Sequence, residues 1–123
     1  MKQNKLLTGL EQKVMNLLWD LEKAFVKELI EKWNEEPVPA YNTVSTVVRI
    51  LQEKGYVGHE AFGRSHRYYP LIEREEYQKR FMKNVLKNVF SGSLTSMVSS
   101  LVDNDDISND ELDEIRKLID DAE

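Results

Sequence analysis

Leu10, Val14, Leu17, Leu18 and Leu21 follow one another at spacings of 4, 3, 1 and 3. That spacing is one face of an amphipathic helix. Thr8-Gly9-Leu10-Glu11 stands in front of it as a capping box: the Thr hydroxyl accepts from a backbone N–H three residues on, and Glu11 reaches back. Trp19 lies at the flank of the stripe. A shorter helix fits Val26–Asn34, with Val26, Leu29, Ile30 and Trp33 on one side. It ends before Pro37 and Pro39, which cannot continue a helix and bias their predecessors to extended geometry. A third helix is predicted from Tyr41 to Lys54, where Val44, Val47, Val48 and Leu51 recur at i, i+3, i+4 and i+7. Gly55 sits where a left-handed cap would stop it.

The period then changes. Tyr56–Phe62 and His66–Leu71 are rich in aromatic and β-branched residues, and Gly63-Arg64-Ser65 separates them as a three-residue hairpin loop. In the second strand Arg67, Tyr69 and Leu71 share one face, and His66 and Tyr68 the other. Helical spacing returns at Glu73, with Tyr77, Phe81, Val85, Leu86, Val89 and Phe90 in one stripe, broken at Ser91-Gly92-Ser93. Leu94, Met97, Val98, Leu101 and Val102 form a further short helix. Ser108-Asn109-Asp110-Glu111 is a second capping box, opening a last helix with Leu112, Ile115, Leu118 and Ile119 inward. The expected fold is mainly α (α+β): an N-terminal winged helix-turn-helix at 1–72, followed by a three-helix region at 73–123.

That order has a chemical consequence. In a winged helix the third helix enters the major groove and the hairpin lies beside it on the backbone. With the valines and Leu51 inward, Thr43, Thr46, Arg49 and Ile50 face out, Tyr41 and Asn42 stand at the N-terminus, and Ser45 lies on the flank. Arg pairs bidentately with guanine and Asn with adenine, and Thr offers a hydroxyl and a methyl. A merely solvated face would more typically carry Glu and Lys. The DNA-binding candidates are therefore Tyr41, Asn42, Thr43, Ser45, Thr46 and Arg49, with Arg64 and Arg67 on the hairpin. Arg67 has a structural alternative, pairing with Glu60 across the strands.

Charge refines this picture. The chain of 123 residues carries a net charge of −5. The sum hides an asymmetry: residues 1–71 total +1 and residues 72–123 total −6. The acid is concentrated in the tail, which leaves the first half free to meet a polyanion; an ordinary solvated acidic helix would give the same excess. The acidic balance also keeps open a winged helix used for protein–protein assembly without DNA readout. A unit of about 70 residues buries a modest core, which favours further burial by a partner subunit. No apolar run reaches the ~18 residues of a membrane span, and no signal peptide is expected. The absence of cysteine excludes disulfides and thiolate metal sites and fits a cytoplasmic protein. His59 and His66 lack companion ligands for a metal. The acids from Asp103 to Asp110 lack the glycine and closing Glu of a calcium loop. No catalytic triad or phosphate-cradling loop is present, so neither an enzyme nor a cofactor is expected.

The ordered set of motifs resembles the BlaI/MecI family of penicillinase and methicillin-resistance repressors. Leu10-Glu11-Gln12-Lys13-Val14-Met15-Asn16-Leu17-Leu18-Trp19 is similar to its opening helix. Thr43-Val44-Ser45-Thr46-Val47-Val48-Arg49-Ile50-Leu51 with Lys54-Gly55-Tyr56-Val57 resembles its recognition helix and first wing strand. Tyr68-Tyr69-Pro70-Leu71 resembles the second wing strand, and Asp106-Ile107-Ser108-Asn109-Asp110-Glu111-Leu112 the start of the last helix. The resemblance implies a cytoplasmic homodimer on double-stranded, palindromic operator DNA, regulating a resistance gene of the β-lactam type. It implies DNA contacts at Asn42, Thr43 and Thr46. The helices from Glu73 onward would form the dimer, through Tyr77, Phe81, Val85, Val89, Leu94, Val98, Leu101, Leu112, Ile115 and Ile119. It further implies relief by a membrane sensor protease or its downstream protease, cutting at a bond that here is Ser100-Leu101 and in well-known members is Asn-Phe. Copper-sensing relatives carry a tail cysteine pair, which this chain lacks.

Overall fold

The structure is a computed structural model and describes residues 7–103 and 108–122. Among the described residues the elements follow in the order α1 (Gly9–Leu21), β1 (Ala24–Phe25), α2 (Val26–Glu31), α3 (Tyr41–Glu53), β2 (Val57–Phe62), β3 (Ser65–Pro70), α4 (Arg74–Asn88), α5 (Leu94–Asp103) and α6 (Asn109–Ala122). The strands form one antiparallel sheet in the order β1-β3-β2. The chain divides into two compact units, Met1–Phe81 and Met82–Glu123.

The capping box at Thr8 forms as expected: Thr8 N donates to Glu11 Oε1 at 2.9 Å, and Glu11 N to Thr8 Oγ1 at 3.3 Å. Glu11 does more than cap. The residue is 4% exposed, and its carboxylate receives Lys54 Nζ, from the C-cap of α3, at 2.7 and 2.9 Å. Burial alone would push the Glu11 carboxyl up. The bonds from Lys54 and Thr8 outweigh it and hold the group below the usual carboxylate range. One ion pair therefore joins the start of α1 to the end of α3.

Val14, Met15 and Leu18 from α1, Leu29 from α2, and Val44, Val48 and Leu51 from α3 are fully buried together. Tyr56 and Val57 close the core from the hairpin side. The stripes read from spacing on the first three helices are thus core faces, whereas the described side chains of those from Phe81 onward lie exposed or half-buried. Three local details differ. α2 ends at Glu31 rather than Asn34. Ala24–Phe25 forms a two-residue strand, pairing Ala24 with Tyr68 and Phe25 with Arg67, which is too short to show a period. Ser65 belongs to β3, so the hairpin loop is the two residues Gly63-Arg64, not three. Gly63 takes φ +62° at the first turn position, where a type II′ turn demands it.

The first unit also claims the start of α4. Trp19 Nε1 donates to Ile72 O at 2.9 Å, and the Arg74 guanidinium lies 5.4 Å from the Trp19 ring while Nη2 donates to Asp20 at 2.8 Å. Tyr77 is 5% exposed, packed by ring contacts to Trp19 and Tyr56, and its hydroxyl oxygen accepts from Leu7 N at 3.5 Å. The resemblance places Tyr77 at a dimer interface; it lies instead in the core of the first unit. In the second unit no described side chain is buried. Its helices are held locally: Ser96 N donates to Ser93 Oγ at 3.1 Å, and the Ser108–Glu111 capping box forms.

A candidate nucleic-acid interface

α3 begins after Pro39 with Ala40 at the N-cap, so no side chain covers its first-turn N–H groups, and that turn carries no acid. With Val44, Val47, Val48 and Leu51 buried, Tyr41, Asn42, Thr43, Thr46, Arg49 and Ile50 stand exposed along the opposite face, and Ser45 is half-buried at its edge. The ridge is internally bonded. Thr46 Oγ1 donates to Asn42 O at 2.9 Å and accepts from Arg49 Nη2 at 3.4 Å. Arg49 Nε also donates to Ser45 O at 3.4 Å. The guanidinium is thus laid along its own helix, with most of its donors still unclaimed by these bonds.

Across from this ridge stands the hairpin. His59 Nδ1 lies 3.1 Å from Gln52 Oε1 of α3, which identifies the sheet face turned toward that helix. Strand alternation puts His59, Ala61, His66 and Tyr68 on it. Between ridge and hairpin lies an open groove of about 690 Å³. Tyr41, Ser45 and Arg49 line it from α3, Arg64, Ser65, His66 and Tyr68 from the hairpin, and Lys27 and Glu28 from α2. Phe25 and Phe62, ring centroids 5.7 Å apart, also line it. Glu28 is the acid among these lining residues, and its carboxylate accepts from Phe25 N at 2.9 Å. Burial holds the Tyr68 phenol above its ordinary value, against the lowering effect of Arg49, so it remains a neutral hydrogen-bonding group.

The candidate residues divide accordingly. Tyr41, Asn42, Thr43, Thr46 and Arg49 share one exposed face, with Ser45 at its edge and Arg64 lining the far side of the groove from the hairpin tip. Arg67 does not join them. It is half-buried on the other face of the sheet, with its Nε buried and without a hydrogen-bond partner. It stands opposite Glu60 in register, while the Glu60 carboxylate receives Lys23 Nζ at 3.0 Å. Lys27 and His66 were not among the candidates. Lys27 enters because the short β1 carries α2 to the hairpin. His66 enters because the Gln52–His59 contact turns its face of the second strand toward α3, which spacing alone does not reveal.

Among the described residues no group of three or more His, Cys, Asp and Glu side chains could hold a metal, and no helix is long and apolar enough to cross a membrane. Helices packed under a recognition ridge, with a basic hairpin beside it, define a winged-helix DNA-binding protein. The penicillinase repressor family model matches residues 7–121, and the chain belongs to that family. The methicillin resistance regulatory protein MecI of Staphylococcus aureus (strain N315) is 26% identical over 113 residues, 92% of each chain. The penicillinase repressor of Bacillus licheniformis is 26% identical over 119 residues, 97% of this chain and 93% of the relative. The solution structure of the DNA-binding domain of the repressor BlaI aligns with a TM-score of 0.54 at 26% identity, over 63% of this chain and 94% of that one. These relatives are transcriptional repressors rather than enzymes.

Proposed function

We propose that this protein is a cytoplasmic homodimeric repressor that reads a palindromic operator through α3 and the hairpin. The observation that carries the reading is the acid-free, uncapped ridge Tyr41-Asn42-Thr43-Thr46-Arg49 facing a groove lined by Lys27, Arg49 and Arg64. Two such ridges related by a two-fold axis would enter successive major grooves about 34–36 Å apart. Phosphate contacts would supply most of the affinity, falling with salt at a slope of about −0.9 per phosphate neutralised.

A second copy of the chain is the partner that suits the remaining apolar surface. Phe81, Met82, Val89, Leu94 and Leu101 are 38–66% exposed. Val85, Val98, Leu112 and Ile115 are half-buried. Together these are the interface we assign; the side chain of Ile119 lies outside the described residues. Release would follow cleavage of the tail by a membrane sensor protease or a protease downstream of it. The Ser100–Leu101 bond lies within α5, so the helix must open locally before a protease can hold it as an extended strand.

The test is a mobility shift on the DNA upstream of the protein's own coding sequence. Thr46→Ala with Arg49→Ala is expected to leave the dimer folded and to abolish the preference for operator over unrelated duplex. An unchanged footprint with the double variant would refute the reading. Failure of the wild-type protein to shift any duplex would favour a protein-assembly role, the alternative that the net charge of −5 suggests.

A further inference from the structure

The imidazoles of His59 and His66 stack on the groove side of the hairpin, ring centroids 4.2 Å apart and 11° from parallel. Tyr68 meets both, at 6.0 Å from His59 and 6.1 Å from His66. Gln52 of α3 holds the inner ring through its Nδ1, while His66 is exposed and lines the groove. We propose that this stacked pair is a proton-linked contact to the DNA backbone, so that the protein binds duplex more tightly as the solution is acidified. The inference rests on the repressor reading and adds to it a contact and a condition.

The argument is electrostatic. Around the stack stand Arg49 and Tyr41 from α3, Lys27 and Glu28 from α2, and Arg64 and Tyr68 from the hairpin. Glu28 is engaged with the Phe25 amide, and Glu60 lies on the other face of the sheet with Lys23. Lys27, Arg49 and Arg64 thus give the groove its charge. A backbone phosphate drawn between the hairpin and α3 reverses that field and favours an imidazolium. Two parallel rings this close repel when both are charged, so the pair takes up one proton as a unit rather than two. Histidine is the side chain that ordinarily changes charge between about pH 5 and 8, so the uptake falls where it can be measured. By linkage, a complex that holds the proton more tightly than the free protein becomes more stable as pH falls.

The experiment uses the full chain, at fixed ionic strength, at about pH 6 and about pH 8. Two fluorescent duplexes of about 30 base pairs serve as probes, one from the upstream region and one of unrelated sequence, each long enough for two successive major grooves. Wild-type affinity for both is expected to be higher at the lower pH by on the order of fivefold per subunit, about 25-fold for the dimer, the contribution of one unit charge per hairpin about 4 Å from a phosphate in water. The salt slope should steepen by about 0.9 per subunit, about 1.8 for the dimer. His66→Lys should bind at the higher pH as the wild type does at the lower. His59→Gln with His66→Gln, checked for folding by circular dichroism, should lose the pH dependence. A flat wild-type profile on DNA that is bound overturns this contact alone, as does a double variant that keeps the wild-type pH dependence. No binding to any duplex at either pH overturns the repressor reading and this contact with it.

Discussion

Thr46 has two chemistries, and its neighbours have already taken one. Its hydroxyl proton is donated to Asn42 O and one lone pair accepts from Arg49, so the hydroxyl is largely engaged within the helix and the methyl is the group we assign to a base. Thr46→Ser keeps the hydroxyl and loses that methyl. It is expected to weaken operator binding by about 0.8 kcal/mol, the worth of one buried methyl-sized group, while Thr46→Val weakens it less. Titrations of the two variants on one operator fragment decide the order; Val binding worse than Ser would mean that the hydroxyl makes the contact. At this scale the sequence was legible wherever a side chain's direction followed from its own helix. The exposure of Asn42, Thr43, Thr46 and Arg49 came directly from the burial of Val44, Val47, Val48 and Leu51. Arg67 and Tyr77 were not legible in that way. Strand alternation separates Arg67 from His66 but does not say which face α3 covers; the Gln52–His59 contact decides it, and it is tertiary. Tyr77 lies on a helical stripe like any interface residue. Its capture by Trp19, Tyr56 and Leu7 depends on residues at least 21 positions away in sequence.

Between elements, the Glu11–Lys54 pair ties α1 to α3 and so fixes the recognition ridge against the body of the fold. Lys54→Ala strands a buried carboxylate and is expected to cost about 3 kcal/mol in urea unfolding. The pair also sets a direction with pH. Glu11 is held below its usual range when folded, whereas an unfolded glutamate titrates near about pH 4.3. Its contribution is therefore fully present above that value and is lost as pH falls through the lower, folded value. Urea midpoints should drop from about pH 5 to about pH 3, and Glu11→Gln should remove part of that drop. A variant with the wild-type acid slope would place the effect elsewhere. The capping boxes at Thr8 and Ser108 could be read in advance because they are local, with donor and acceptor three residues apart. The Glu11–Lys54 bond could not, since it spans 43 positions. The same reason hides β1, whose two residues gain meaning only from pairing with β3.

At the scale of the molecule, the two units are built differently. The first has an interior reaching from Val14 to Tyr77; the second has amphipathic helices with no buried side chain among those described. Without a core, helices of 10 and 14 residues are marginal in water. The second unit should therefore gain its order from association. Dilution is expected to lower helical ellipticity and the midpoint of an early unfolding step, while a later step from the first unit stays fixed. Leu101→Glu should bring the early transition forward and give a monomer in sedimentation. A single transition independent of concentration would argue against this division. The charge difference between the halves was readable from sequence because it is a sum. The place where one unit ends and the next begins was not, because it depends on where the Tyr77 ring goes.

If release follows a cut in α5, as proposed, that ring has a consequence. Tyr77 stoppers the reading head from within, upstream of any cut in α5. A clipped chain would keep its stopper and remain a folded, single-handed reader. Derepression would then come from lost bivalency, with each severed head letting go of its half of the operator on its own.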